Sequence, residues 1–323
     1  MKKPLVILTG PTAVGKTALS IKLAKRIHGE IISADSMQVY RRMDIGSAKI
    51  TPQEMEGVPH YLIDVLEPQE EFNVVTFQQM AGEAMEKIYA SNHIPIIVGG
   101  TGFYIQAILN DIAFTETQTD TCYRQLLEKQ AAEHGAVWLH ERLQEVDPGA
   151  AAEIHPNNVK RVIRALEFYQ ETGTRISEHN EEQRQKQSPY NFAYFVLNMD
   201  RQRLYDRIEL RIDRMMEEGL LEEVGKLQAE GCHEGMVSMQ GLGYKEILAY
   251  LQGKCTLEEA VYILKRDTRH FAKRQLTWFR REREVCWIQK EDYAYDEDRM
   301  LETMLRILNE KNITDNSPEQ RSI

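Results

Sequence analysis

The chain has 323 residues, 42% of them hydrophobic and 28% charged, with a formal net charge of −10. This composition supports a sizeable core and excludes wholesale disorder, a fibrous architecture and a uniformly basic nucleic-acid coat. No apolar run approaches the ~18 residues of a membrane span, and the length suits two domains, or one domain with a large insert.

Leu5 to Leu8 is an unbroken apolar run behind Met1-Lys2-Lys3-Pro4. It is too short for a signal peptide, and glycines follow it directly, so it reads as a strand. Thr17 to Ile27 has helical spacing, and Glu30 to Ser33, Tyr61 to Ile63 and Ile94 to Val98 read as further short strands. Unbroken β-branched runs separated by helices predict a doubly wound α/β fold with a parallel sheet flanked by helices. From about Thr115 to Ser188 strand-like runs vanish, which predicts an all-helical inserted domain. A strong strand returns at Phe192 to Leu197. A charged helix from about Arg201, a Gly-rich turn at Gln240 to Lys245, a helix ending near Arg283 and a last strand at Val285 to Ile288 follow. The expected boundaries are a discontinuous core of 1–114 and 191–312, an insert of 115–190 and a loose polar tail of 313–323. Cys122, Cys232, Cys255 and Cys286 are widely spaced and form no C-x-x-C pair. Free thiols and the lack of an export signal lead to an expectation of a cytoplasmic protein.

Gly10-Pro11-Thr12-Ala13-Val14-Gly15-Lys16-Thr17 matches G-x-x-x-x-G-K-[ST] between a predicted strand and a predicted helix. In such a loop successive backbone N–H groups cradle phosphate oxygens, and the helix N-terminus adds about half a positive charge. Lys16 supplies a full charge, and the Thr17 hydroxyl can sit on Mg²⁺. The motif makes the expected core P-loop NTPase-like and implies a polyphosphorylated ligand without saying whether a phosphoryl group moves; an ATP-using kinase or NTPase is the default. Asp35 follows the second strand, where a doubly wound sheet opens its ligand crevice. It suits a proton acceptor or metal-placing group, and equally a loop Asp that caps the next turn.

Further motifs accompany the loop. They are Ala34-Asp35-Ser36-Met37-Gln38-Val39-Tyr40, Met43-Asp44-Ile45-Gly46-Ser47-Ala48-Lys49, Pro59-His60-Tyr61-Leu62-Ile63-Asp64 and Val98-Gly99-Gly100-Thr101-Gly102-Phe103-Tyr104. Arg164-Ala165-Leu166-Glu167, Gly241-Leu242-Gly243-Tyr244-Lys245 and Lys273-Arg274-Gln275-Leu276-Thr277-Trp278-Phe279 complete the set. From about residue 4 to 288 the chain resembles the tRNA dimethylallyltransferase family. The resemblance implies transfer of a dimethylallyl group from dimethylallyl diphosphate to N6 of the adenosine 3′ of the anticodon, in tRNAs reading codons that begin with U. It implies that residues 10–17 hold the diphosphate, that Asp35 is the base and that Lys16, Thr17 and Mg²⁺ stabilise the leaving group. It also implies RNA contacts from Asp35, Ser36, Met37, Gln38, Thr101, Lys160, Arg161, Val162, Ile163, Arg164, Gln240, Gly241, Leu242, Gly243, Tyr244 and Lys245. Lys273, Arg274, Gln275, Leu276, Thr277, Trp278, Phe279 and Arg280 join them, and Arg124 is a further candidate.

Charge distribution speaks for RNA independently. Between Val261 and Arg283, eight basic residues stand against Asp267 and Glu282, a local charge of +6. On a helix, Lys265, Arg269, Lys273, Arg280 and Arg283 fall within a stripe about 80° wide, expected to face outward, with Ala260, Leu264, Phe271 and Trp278 opposite. Near Asn157 a second helix puts Lys160, Arg161 and Arg164 on one face and Val162, Ile163 and Leu166 on another. Such stripes suit a phosphate backbone, and a solvated charged face is the competing reading. Arg207 and Arg211 sit one turn apart and could reach the diphosphate or pair with Asp206 or Glu209. Asp64 ends an apolar strand, like a second metal-site acid. The alternatives are a small-molecule or nucleotide kinase, an adenylate isopentenyltransferase acting on free nucleotide, and a noncatalytic RNA-binding module. A monomer is expected, since a helical insert could itself clamp RNA.

Overall fold

The structure, a computed structural model, describes residues 2–114 and 121–314. The chain divides into two compact units, Met1–Leu109 with Pro189–Ile323, and Asn110–Ser188. In chain order the first unit begins with β1 (Lys3–Thr9), α1 (Lys16–Ile27), β2 (Gly29–Ala34), β3 (His60–Tyr61), α2 (Val74–Ala90), β4 (Ile94–Gly99) and α3 (Gly102–Leu109). The second unit holds α4 (Thr121–His134), α5 (Ala136–Val146), α6 (Pro148–Glu153), α7 (Val159–Thr172) and α8 (Ile176–Gln185). The first then resumes with β5 (Tyr190–Asn198), α9 (Arg201–Glu217), α10 (Leu220–Ala229), α11 (Tyr244–Leu251), α12 (Leu257–Phe279), β6 (Val285–Gln289) and α13 (Glu297–Glu310).

The expected parallel α/β sheet is present. Its six strands run in the order β3-β2-β4-β1-β5-β6, all parallel. Leu5 to Leu8 and Ile31 to Ala34 are buried on both faces, which explains their unbroken apolar pattern. The chain leaves β1 toward β2 and leaves β4 toward β5, in opposite directions, although β1 and β4 are neighbours. That reversal opens a crevice outside the carboxyl ends of the two strands. Register brings Thr9, Ala34 and Gly99 level there, so the turns after β1, β2 and β4 meet at one edge.

The second unit has its own core, in which Leu127, Leu139, Leu143, Val162, Ile163 and Leu166 are buried together. Within it Asp147 caps α6, accepting from the Ala150 N–H at 2.9 Å, and its carboxylate also accepts from Ser177.

Two expectations need correction. Ile313 is buried in the core of the first unit, and the Asn191 side chain donates to the Lys311 carbonyl at 2.9 Å. The packed chain therefore runs past the expected start of the tail; residues 315–323 lie outside the described residues, as do 115–120 at the expected start of the insert. The long basic helix ends at Phe279 with Arg280 as its C-cap rather than near Arg283, so Arg280 keeps its place on the stripe and Arg283 lies beyond it.

Candidate active site

The phosphate loop owes its shape to residues that tolerate unusual backbone. Gly10, Ala13 and Gly15 have φ of 147°, 62° and 98°. A Cβ at Gly10 would lie 2.5 Å from the Leu197 carbonyl oxygen, so the loop lies against β5 only because position 10 has no side chain. α1 opens with Gly15 as N-cap, with no side-chain cap and no acid in its first turn. Its first N–H groups are thus left for an anion. The Lys16 Nζ donates to the Gly10 and Pro11 carbonyls at 3.0 and 2.9 Å. Burial, helped by the nearby Arg211 charge and opposed by Asp35, lowers the Lys16 ammonium to about 8.

Three more cations reach this loop. Arg207 Nε donates to the Ala13 carbonyl at 2.8 Å, and Arg211 Nη1 to Thr12 Oγ1 at 3.4 Å. Lys290 Nζ donates to the Val14 carbonyl at 3.2 Å. Burial lowers the pKa of Arg211 and of Lys290. Both arginines of the pair thus bond the loop itself. Lys290 was not anticipated. The available signal was its place just after the last strand, on the ligand edge of the sheet. Partly desolvated positive charge gathered on a cap-free helix start is an arrangement that a polyanion stabilises.

Asp35 shows the turn-capping half of its sequence reading. Its Oδ1 accepts from the Met37 and Gln38 N–H groups at 2.8 and 3.3 Å, which caps the turn. The same carboxylate faces Lys16 and Arg211, and its charge opposes the burial-driven drop in the pKa of each. The crevice therefore sets one oriented carboxylate opposite the cation-rich loop. Beside it, the Thr101 N–H donates to the Ala34 carbonyl at 3.3 Å, fixing the turn after β4 next to the turn after β2.

The loop at Gln240 to Lys245 also comes to this edge, since a Cβ at Gly241 would lie 2.5 Å from Met37 Sδ. Several expected RNA contacts face inward instead. Tyr244 is buried, its hydroxyl donates to Glu223 Oε1 at 2.8 Å, and its ring lies on Gly46. Gln38 spends its amide on the Ser47 and Ala48 carbonyls at 3.5 and 3.3 Å. Val162 and Ile163 lie in the core of the helical unit, and Phe279 and Gln275 are buried in the first unit. Apolar positions on an amphipathic helix go to the core, so a contiguous run of residues overstates what RNA can touch. Ser36, Met37, Leu242, Lys245, Leu276 and Trp278 are half-buried. Gln240, Lys160, Arg161, Lys273, Arg274, Thr277 and Arg280 are exposed.

The outward stripe on α12 is also narrower than expected. Lys265 pairs with Asp213 and Arg269 with Glu209, each at 2.5 Å, tying α12 to α9. Arg124 makes a two-point contact with the buried Glu167, with Nε and Nη2 each 2.8 Å from a carboxylate oxygen. Asp64 is held by the Lys49 ammonium at 2.5 Å, which suits a structural pair better than a metal acid.

A family model described as IPP transferase matches residues 38–282. The chain belongs to the IPP transferase family. It is 64% identical over 311 residues to a tRNA dimethylallyltransferase of Lachnoclostridium phytofermentans, covering 96% of this chain and 99% of that one. A tRNA isopentenylpyrophosphate transferase structure from Bacillus halodurans superposes with a TM-score of 0.72 at 46% identity, covering 96% and 98% of the two chains. A eukaryotic dimethylallyltransferase structure, described as acting on tRNA, gives a TM-score of 0.76 at 31% identity over 89% and 74%. The family match begins after the phosphate loop, so the loop geometry and the match are separate observations.

Proposed function

We propose that the chain transfers a dimethylallyl group from dimethylallyl diphosphate to N6 of the adenosine 3′ of the anticodon in tRNAs reading UNN codons. The observation that carries this reading is Asp35 set against a four-cation phosphate loop, in a chain 64% identical to a tRNA dimethylallyltransferase.

The chemistry follows from the residues. The exocyclic amine is a poor nucleophile because its lone pair is delocalised into the ring. Asp35 takes its proton as the C–N bond forms, and the Met37 and Gln38 amides keep the carboxylate aimed. As the allylic C–O bond breaks, negative charge grows on the diphosphate. The amides at the start of α1, with Lys16, Arg207, Arg211 and Lys290, receive that charge without reorganising. The adenine has to leave its stack, which costs less in a single-stranded loop than in a duplex.

The exposed Thr17 hydroxyl is a hard oxygen donor at the loop. It fits Mg²⁺, which takes one or two protein oxygens plus substrate phosphate and keeps its remaining waters. When bound there, the ion would neutralise charge on the leaving diphosphate.

Lys273, Arg274 and Arg280 on the first unit, and Lys160 and Arg161 on the helical unit, are exposed cations that support RNA contacts by each unit. No helix among the described residues is long and apolar enough to cross a membrane. We place the protein in the cytoplasm as a monomer.

The test is incubation with Mg²⁺, labelled dimethylallyl diphosphate and unmodified tRNA, with AMP and ATP in parallel. Label in tRNA alone supports the proposal. Label in AMP or ATP moves the acceptor to free nucleotide, and no label in any tube contradicts alkyl transfer.

A further inference from the structure

Gln275 lies within a stretch expected to touch RNA, yet it is 6% exposed and turns away from the basic surface of α12. Its Oε1 accepts from the Thr12 N–H at 2.9 Å, and its Nε2 donates to the Gly100 carbonyl at 3.0 Å. One amide thus joins the phosphate loop after β1 to the turn after β4, across the switch point of the sheet. Thr9 Oγ1 holds the preceding carbonyl, that of Gly99, at 2.7 Å. Both glycines of the turn are shaped around α12. A Cβ at Gly100 would lie 2.1 Å from Gln275 Nε2, and one at Gly102 would lie 2.2 Å from Trp278 Cδ1.

We infer that Gln275 is a positioning residue for the phosphate loop rather than an RNA contact, an inference that rests on the diphosphate reading of that loop. Only an amide meets the need at this point, an acceptor toward Thr12 and a donor toward Gly100 on one planar group. A carboxylate would set oxygen against oxygen at Gly100, and an apolar side chain would leave both backbone groups unpaired in a buried place. Thr12 is also the residue whose hydroxyl receives Arg211, so the Gln275 amide and the Arg211 guanidinium fix the same loop residue from two sides. One face of α12 offers Lys273, Arg274 and Thr277 to solvent, and the residue between them grips the loop. RNA seated on α12 is thereby held in register with the diphosphate.

The experiment measures three quantities on the full chain: the Kd for inorganic diphosphate by calorimetry, the Kd for an unmodified anticodon stem–loop by anisotropy, and the thermal midpoint. Gln275→Met should weaken diphosphate binding about tenfold, the scale of one buried hydrogen-bond partner left unmet. Stem–loop affinity should stay within about twofold, because the residue offers RNA no surface. Gln275→Asn, too short to span both partners, gives the same reading if the Met variant does not fold. Gly100→Ala, whose Cβ would displace the amide, should weaken diphosphate binding alike. In a Gln275→Ala background the same Gly100→Ala change should add little, since the two perturb one contact. Weakened stem–loop binding with diphosphate affinity intact would overturn the inference, and so would wild-type values for both ligands. A wild-type protein that binds diphosphate yet alkylates no tRNA would defeat the proposed function, while the diphosphate Kd of the variants still decides the role of Gln275.

Discussion

Lys16→Met should make the ligand-free protein more stable while removing its anion affinity. Burial takes the Lys16 ammonium from its ordinary 10.5 to about 8. At about 1.4 kcal/mol per unit this desolvation costs the folded protein about 3 kcal/mol at pH 7, and partial access to solvent trims that to about 1–3 kcal/mol. Met has similar length and no charge to desolvate, but it gives up the ammonium's bonds to the Gly10 and Pro11 carbonyls, which holds the gain to the low end of that range. The sign across pH follows from linkage. The unfolded chain keeps this proton up to about 10.5, whereas the native chain releases it near 8, so wild-type stability rises with pH between those values. Lys16→Met should therefore lead by its full margin below pH 8 and lose that margin as pH climbs toward 10.5. Urea unfolding without ligand at several pH values from 7 to about 10 measures it. Calorimetry should show inorganic diphosphate binding weakened by roughly 10–100-fold, the scale of a charge-assisted contact. A Met variant less stable than wild type at pH 7, or a margin that does not change with pH, would refute the claim that Lys16 is held charged at a cost in stability for its ligand.

Asp35→Asn should lower alkyl transfer ~10²–10⁴-fold with RNA binding largely intact, as single-turnover rates at saturating tRNA would show. Lost RNA binding with normal turnover of bound RNA would remove the base assignment. Reversing Lys273 and Arg280 to Glu should weaken stem–loop binding and flatten its dependence on salt concentration. An unchanged slope would return that surface to a solvated charged face. Arg124→Ala should lower stability by about 1–3 kcal/mol, because it strands the carboxylate of Glu167, itself 3% exposed. A thermal midpoint equal to wild type, with weaker RNA binding, would instead make Arg124 an RNA contact.

The parts of the site that depend on local backbone geometry were readable from the sequence. Gly10 to Thr17 follows a strand and opens a helix, and the spacing of Gly10, Gly15 and Lys16 is what a phosphate cradle demands. Asp35 was readable because the carboxyl ends of parallel strands share one edge. Contacts made across the fold were not. Arg207, Arg211 and Lys290 reach the loop from α9 and from beyond β6, and no short-range pattern reports that. Helical periodicity put Lys265 and Arg269 on a charged stripe without showing that α9 brings Asp213 and Glu209 to meet them. The stripe also assumed a helix that continues to Arg283, whereas the chain leaves the helix after Arg280 and enters β6 at Val285. Gln275 sits among exposed cations in sequence, and only the tertiary contact shows that it points inward.

The central claim is that the loop at Gly10 to Thr17 releases diphosphate as the alkyl group passes to RNA. The most direct test follows both products in one reaction, counting labelled dimethylallyl in tRNA nucleosides and diphosphate in solution, with ATP present as a decoy. One diphosphate should be released for each N6-dimethylallyladenosine formed, with no loss of ATP. Consumption of ATP, or release of diphosphate without alkylated adenosine, would contradict it.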